Sequence, residues 1–215
     1  MTRTFDEDEF YKICDRLFEI DSDLHSIYLK YGYPPFWSRK PNFETLIHIV
    51  LEQQVSLASA KAALDKLKKK IGIVTAKKIV LLSDLELREC YFSRQKTVYA
   101  KELAKAVLEK QIVISQLKDL PEETIRTRLT AIKGIGNWTV DIYLLMALHR
   151  TDIFPIGDLA LLQSLKKVKR LPPQTSQERI RKLSEKWEPY RSIATMLFWH
   201  SYLEERKRRS KEKTS

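Results

Sequence analysis

Two short stretches hold residue types that could act on a bound molecule. The first is Lys133-Gly134-Ile135-Gly136-Asn137, a tight turn between two apolar-striped segments. Glycines accept left-handed backbone angles and let a foreign backbone come close. A helix beginning near Asn137 presents unsatisfied amides at the positive end of its dipole, a ready seat for a phosphate. Contacts of this kind hold a nucleic acid in register without reading its sequence. The same turn would also serve as an ordinary connection between helices. The second stretch is Asp152–Asp158, DIFPIGD. Asp158 precedes the apolar run Leu159–Leu165 and so has the type and position of a helix N-cap. A capped carboxylate keeps a fixed direction, which acid–base or electrostatic chemistry requires. Asp141 and Asp152 read as structural.

The elements that must position these residues read as helices nearly throughout. Ile13, Leu17, Ile20 and Leu24 recur at helical spacing. The segment at 31–41 holds three prolines and reads as a loop. Phe43, Ile47, Val50 and Leu51 form the apolar face of a helix. Ser56–Lys70 is a further helix, with Ala58, Ala62 and Leu67 inside. Thr75–Leu81 and Asp84–Cys90 are short helices, with Ser83 and Ser93 as N-caps. Gln95–Lys110 buries Val98, Leu103, Val107 and Leu108. Pro121 opens a helix striped by Ile125, Leu129 and Ile132, and the helix after the turn faces Trp138, Ile142, Leu145 and Leu148 inward. The final helix runs from about Pro189 to Leu203, and the charge run beyond it reads as disordered. No strand alternation and no internal repeat is evident. The expected class is all-α.

Composition limits what such a chain can do. At 215 residues it can bury a sizeable core, and 43% hydrophobic content marks a globular chain. Lysine and arginine number 39 against 28 acids, for a net charge of +11. That excess attracts polyanions, and nucleic acid foremost. Cys14 and Cys90 are the only cysteines, so no disulfide framework and no four-cysteine iron–sulfur cluster is available. His25, His48, His149 and His200 lack zinc-type spacing. The N-terminus is acidic and polar rather than a signal peptide, and no apolar run is long enough for a membrane span. An intracellular setting, cytoplasm or nucleoid, is expected.

Set in order, the motifs resemble one family. The run from Ile125 to His149 resembles the helix-hairpin-helix of the DNA glycosylase superfamily named for its hairpin, Gly/Pro-rich loop and aspartate. Asp152–Asp158 resembles that family's D-x-F-P-x-x-D segment. Glu52-Gln53-Gln54-Val55-Ser56 resembles its Q-Q-V-S helix end. Ser93-Arg94-Gln95-Lys96 with Leu103-Ala104 resembles its S-x-x-K…L-A helix. Trp187-Glu188-Pro189-Tyr190-Arg191-Ser192-Ile193-Ala194, ending in Trp199, resembles its terminal helix. The match spans about residues 20–203, and its pattern is nearest to bacterial 3-methyladenine DNA glycosylase II in a compact form without an N-terminal β domain.

The resemblance implies a fold of two helical lobes with a DNA-binding cleft. Residues 42–150 would form a helical barrel lobe including the hairpin, residues 1–41 with 151–205 a second lobe, and 206–215 a basic tail. It implies monofunctional hydrolysis of the glycosidic bond of alkylated purines in duplex DNA, with Asp158 as the catalytic carboxylate. Trp138 and Trp199 match pocket tryptophans for a flipped base. Gln54 matches the side chain that fills the hole left behind, and Lys133, Gly134, Ile135, Gly136 and Asn137 grip the backbone. Lyase relatives carry a Schiff-base lysine where this chain has Trp138, so no strand cleavage is expected. No cofactor is required, no iron–sulfur cluster is implied, and at most a monovalent cation sits at the hairpin. A monomer is expected. Ile142 replaces a pocket tyrosine, and Cys90-Tyr91-Phe92-Ser93 lacks the glycine usual there. Two other readings stay open: excision of deaminated or oxidised bases, and a non-catalytic module that only grips DNA.

Overall fold

The computed structural model describes residues 3–212. They fold into two compact units, Arg39–Leu148 and a unit assembled from the residues up to Ser38 and from His149 onward. The architecture is all-α. Among the described residues the only β feature is an isolated bridge between Thr4 and Arg150.

In the discontinuous unit, α1 (Glu7–Ile20) and α2 (Ser22–Tyr31) precede α10 (Leu159–Val168), α11 (Gln177–Ser184) and α12 (Arg191–Glu212) in the chain. Asp6 and Glu9 form a capping box at the start of α1. The stripe Ile13–Leu24, expected as one helix, is broken at Asp21. Asp21 ends α1 and caps α2, accepting the Asp23 amide at 3.1 Å and the Leu24 amide at 3.4 Å. Its carboxylate, buried to 1% exposure, also receives Lys169 at 2.5 Å, Lys186 at 2.5 Å and the Trp187 indole at 2.7 Å. Burial alone would raise the Asp21 carboxyl, but the hydrogen bonds from Lys169, Lys186 and Trp187 outweigh it and hold the group below its ordinary value. Ile20 is therefore exposed. The first strand-like residues clip onto the start of the second half, Phe5 N donating to His149 O and Thr151 N to Arg3 O, each at 3.1 Å. Phe5, Phe10, Phe36 and His149 form an aromatic cluster around that clip.

The core of this unit is α12, whose residues Ser192–Phe198 are all buried. The helix does not stop at Leu203 but continues to Glu212, so the charge run expected to be disordered is helical as far as it is described. Residues 213–215 of the expected tail lie outside the described residues.

In the contiguous unit the order is α3 (Phe43–Glu52), α4 (Leu57–Ile71), α5 (Ala76–Leu81), α6 (Asp84–Glu89), α7 (Arg94–Leu108), α8 (Glu122–Thr130) and α9 (Asn137–Met146). α3 is buried on nearly every side, which marks it as the central helix against which α4, α7 and α9 pack. Asn42, Ser56, Thr75, Ser83 and Ser93 each accept an amide from the first turn of the helix they precede, worth about 1 kcal/mol apiece. Two expected faces are corrected. In α4 the buried residues are Ala60, Ala63, Leu64 and Leu67, while Ala58 and Ala62 are exposed. In α7 they are Thr97, Ala100, Leu103, Ala104 and Ala106, while Val98 and Leu108 face solvent. Both errors put a helix face off by roughly a third of a turn.

Candidate active site

The hairpin joins α8 to α9 within the contiguous unit. Gly134 takes φ +92, and a Cβ built on it would stand 2.0 Å from Cγ of Tyr99 on α7. The tyrosine ring thus lies against the bare glycine backbone, and only glycine fits there. Gly136 is the N-cap of α9 and offers no side-chain oxygen to the first amides of that helix. Arg126 on α8 braces the same helix start, donating to Asn137 Oδ1 at 3.0 Å and to Asp141 Oδ1 at 2.6 Å. Asp141 is therefore a structural partner of an arginine. Lys133, Gly136 and Asn137 are exposed, Ile135 is buried, and Trp138 is half-buried in the first turn of α9. An anion meeting this surface encounters amides, a helix dipole and a lysine.

The loop between α3 and α4 reaches the hairpin through Gln53, whose Nε2 donates to Gly134 O at 2.9 Å and to Thr139 Oγ1 at 3.0 Å. Gln54, next to it, is exposed and takes φ +57. Lys96, from the S-x-x-K motif, donates its ammonium to Leu51 O at 2.6 Å at the end of α3. Burial lowers the pKa of Lys96 from the usual lysine range. The unusual Cys90–Ser93 stretch has its own geometry. Tyr91 adopts φ +66, the left-handed conformation a glycine would take without strain. Its ring carries the Lys66 ammonium 4.0 Å from the centroid.

Asp158 belongs to the discontinuous unit. The turn Pro155–Asp158 closes with Asp158 N donating to Pro155 O at 2.8 Å. The aspartate then caps α10, its Oδ1 accepting the Leu161 amide at 2.8 Å. Trp199 on α12 donates its indole N–H to the same oxygen at 3.0 Å. Asp158 is only 9% exposed as a residue, and the direction of its carboxylate is set from two helices. The segment leading to it is clamped by the start of α12. Arg191 holds Asp152 through Nε at 2.7 Å and Nη2 at 2.8 Å. Ser192 Oγ donates to Arg150 O at 2.6 Å and accepts the Ile153 amide at 2.9 Å. The terminal motif R-S thus has a mechanical purpose that its residue types alone did not announce.

Of the expected site residues, Asp158 and Trp199 are in direct contact, and the Gln53–Gln54 loop is bound to the hairpin. Sequence reading missed three supports: Gln53 as an anchor, Lys96 as the brace at the end of α3, and Tyr99 as the floor of the hairpin. Lys96 was visible as part of a motif, and Gln53 only as a neighbour of Gln54. Among the described residues no group of three or more His, Cys, Asp or Glu is arranged to hold a metal, and no helix is long and apolar enough to cross a membrane.

Residues 47–189 match the family described as HhH-GPD superfamily base excision DNA repair protein. The chain is 30% identical over 202 residues to alkylbase DNA glycosidase-like protein mag2 of Schizosaccharomyces pombe, covering 90% of this chain and 94% of the relative. It is 32% identical over 165 residues to DNA-3-methyladenine glycosylase 1 of the same yeast, covering 75% of this chain and 72% of that one. A solved structure of the S. pombe 3-methyladenine DNA glycosylase Mag1 in complex with abasic DNA superposes with a TM-score of 0.80 at 30% identity, covering 87% of this chain and 95% of the other.

Proposed function

The chain belongs to the HhH-GPD superfamily of base excision DNA repair proteins, and from that premise we propose that it is a DNA glycosylase hydrolysing the N-glycosidic bond of alkylated purines, 3-methyladenine foremost. Departure of the base leaves the deoxyribose positively charged, an oxocarbenium-like state. The Asp158 carboxylate stabilises that charge and orients the attacking water. The observation that carries this reading is the double engagement of Asp158 Oδ1 by the Leu161 amide and the Trp199 indole, because a carboxylate held from two helices arrives at the reaction already oriented.

The remaining residues serve that step. Lys133, Gly134, Ile135, Gly136 and Asn137 hold the phosphate backbone. The target base leaves the stack, and Trp138 and Trp199 are the residues we assign to its recognition, each by its indole face. A ring-methylated purine is cationic, and a cation over an indole gains ~1–2 kcal/mol when desolvated. The same charge makes the base a good leaving group, so no strong general acid is needed. Gln54 fills the gap left in the duplex. With Trp138 in place of a Schiff-base lysine, the product is an intact strand with an abasic site. No cofactor is needed for this chemistry, and a monovalent cation bound at the hairpin would supply only positive charge toward a phosphate. The protein works as a monomer on double-stranded DNA inside the cell.

Incubation with methylated duplex DNA tests this. Wild type should release 3-methyladenine and 7-methylguanine without nicking the strand, and Asp158→Asn should lose at least ~100-fold in rate. Equal release by that variant would remove Asp158 from the chemistry. Absence of release by wild type would leave only a DNA-gripping module.

A further inference from the structure

The loop joining α3 to α4 carries Gln54 and receives little support from its own backbone. Its internal amide bonds are long, Gln53 N to Val50 O at 3.4 Å and Val55 N to Glu52 O at 3.5 Å. Gln54 at φ +57 occupies a left-handed conformation that a side chain bearing a Cβ resists. Strain of this kind persists only where the surroundings impose it. Two side chains do so here. Lys96 reaches from α7 to Leu51 O, fixing the end of α3. Gln53 reaches the other way and uses both hydrogens of its amide on the hairpin, one on Gly134 O and one on Thr139 Oγ1. Thr139 is 1% exposed, so water competes poorly for that bond. Gly134 is in turn pressed against the Tyr99 ring and has no room to follow a loose loop.

We propose that Gln53 is a positioning residue that locks the Gln54 loop to the hairpin, so that capture of the phosphate backbone and insertion of Gln54 into the duplex occur as one coupled event. The proposal rests on reading the chain as a DNA glycosylase with Gln54 as the inserted side chain. Gln53 itself does not read the DNA, because its donors are already engaged within the protein. It acts by keeping Gln54 in its strained, outward conformation before DNA arrives, which removes an ordering cost from the insertion step. A loop free of the hairpin would grip the backbone and still fail to fill the gap.

The test uses duplex DNA with a tetrahydrofuran abasic analogue and a fluorescent base opposite it. Polarisation reports binding, and the fluorescence of the opposite base reports insertion. Gln53→Leu keeps an aliphatic side chain of similar bulk, one atom shorter, and removes both donors. Thr139→Val removes one acceptor, a gentler change should Gln53→Leu fold poorly. Gln53→Leu should weaken binding to the abasic duplex by about tenfold and abolish the fluorescence change, while binding to intact duplex stays within roughly twofold. Thr139→Val should fall between wild type and Gln53→Leu in both signals. In a Gln54→Ala background, Gln53→Leu should add less than about twofold, because the two side chains act through one event. Losses that multiply independently in the two backgrounds would overturn the coupling. So would equal loss of affinity for intact and abasic duplex, which would make Gln53 a mere support of the hairpin. A wild-type protein with no preference for the abasic duplex would sink the glycosylase reading itself, so the two failures are distinguishable.

Discussion

Trp199 donates its indole N–H to Asp158 Oδ1 at 3.0 Å, on the oxygen that already accepts the amide of Leu161. The tryptophan therefore orients the carboxylate directly. It comes from α12, whose first residues also clamp the chain segment that leads to Asp158. α12 thus fixes the segment that carries the carboxylate and, together with the cap on α10, its direction.

Trp199→Phe keeps an aromatic ring and removes the donor. The single-turnover rate of base release should fall about tenfold, the cost of one hydrogen bond to a charged group. The loss should be smaller than that of Asp158→Asn. A rate equal to wild type would show the bond to be idle in the reaction.

Gly134→Ala should destabilise the contiguous unit by about 2 kcal/mol or more, since the new methyl meets the Tyr99 ring at a φ that disfavours a side chain. Gly136 sits at φ −96 with nothing within 4 Å of a built Cβ. Gly136→Ala should change stability by under ~0.5 kcal/mol. Thermal unfolding of the two variants distinguishes them, and equal melting temperatures would contradict the close approach of Tyr99.

How far this was legible in the sequence depended on where each cause lay. The hairpin, the cap at Asp158 and the central helix α3 follow from local spacing and turn chemistry, and all are found where that spacing put them. The break at Asp21 could not be read locally, because Lys169 and Trp187, which make it worthwhile, lie 148 and 166 positions away. The face of α4 was misjudged because alanines line both sides, and a methyl carries little preference for burial. The basic tail has the composition of a disordered segment, yet it extends a helix already begun, and propagation needs no new nucleus. At the site, Asp158 and the glycines announced themselves. Gln53 did not, because its partner Gly134 is 81 positions away.

Asp21→Ala should cost ~2–4 kcal/mol, because it removes the cap of α2 and the acceptor of the buried Trp187 indole and leaves Lys169 with Asp23 alone. The Asp21 carboxyl lies below its ordinary value of 3.8 in the folded protein. Its stabilisation is therefore complete above that pH and lost as acid protonates the folded group. Chemical denaturation between neutral pH and pH 3 should show wild type losing stability at the acid end, with Asp21→Ala losing less over the same range. Parallel curves would mean that Asp21 does not titrate with unfolding.

Truncation after Glu205 removes six basic residues and one acidic residue. The logarithm of DNA affinity should fall linearly with the logarithm of salt concentration in wild type. The truncated protein should have a slope shallower by about 2–4, while its rate at saturating enzyme is unchanged. An unaltered slope would make the end of α12 a solvated terminus without contact to phosphate.

The discontinuous unit has a consequence for biosynthesis. Its first part is complete at Ser38, but the segment that completes it begins at His149, after the whole of the contiguous unit. At ~5–20 residues per second the ribosome needs roughly 5–20 s to cover that interval. During that time Asp21 is on the nascent chain without Lys169, Lys186 or Trp187, and Phe5 without His149. The contiguous unit can close while these early helices wait, so the last portion to be translated commits the first to its native partners.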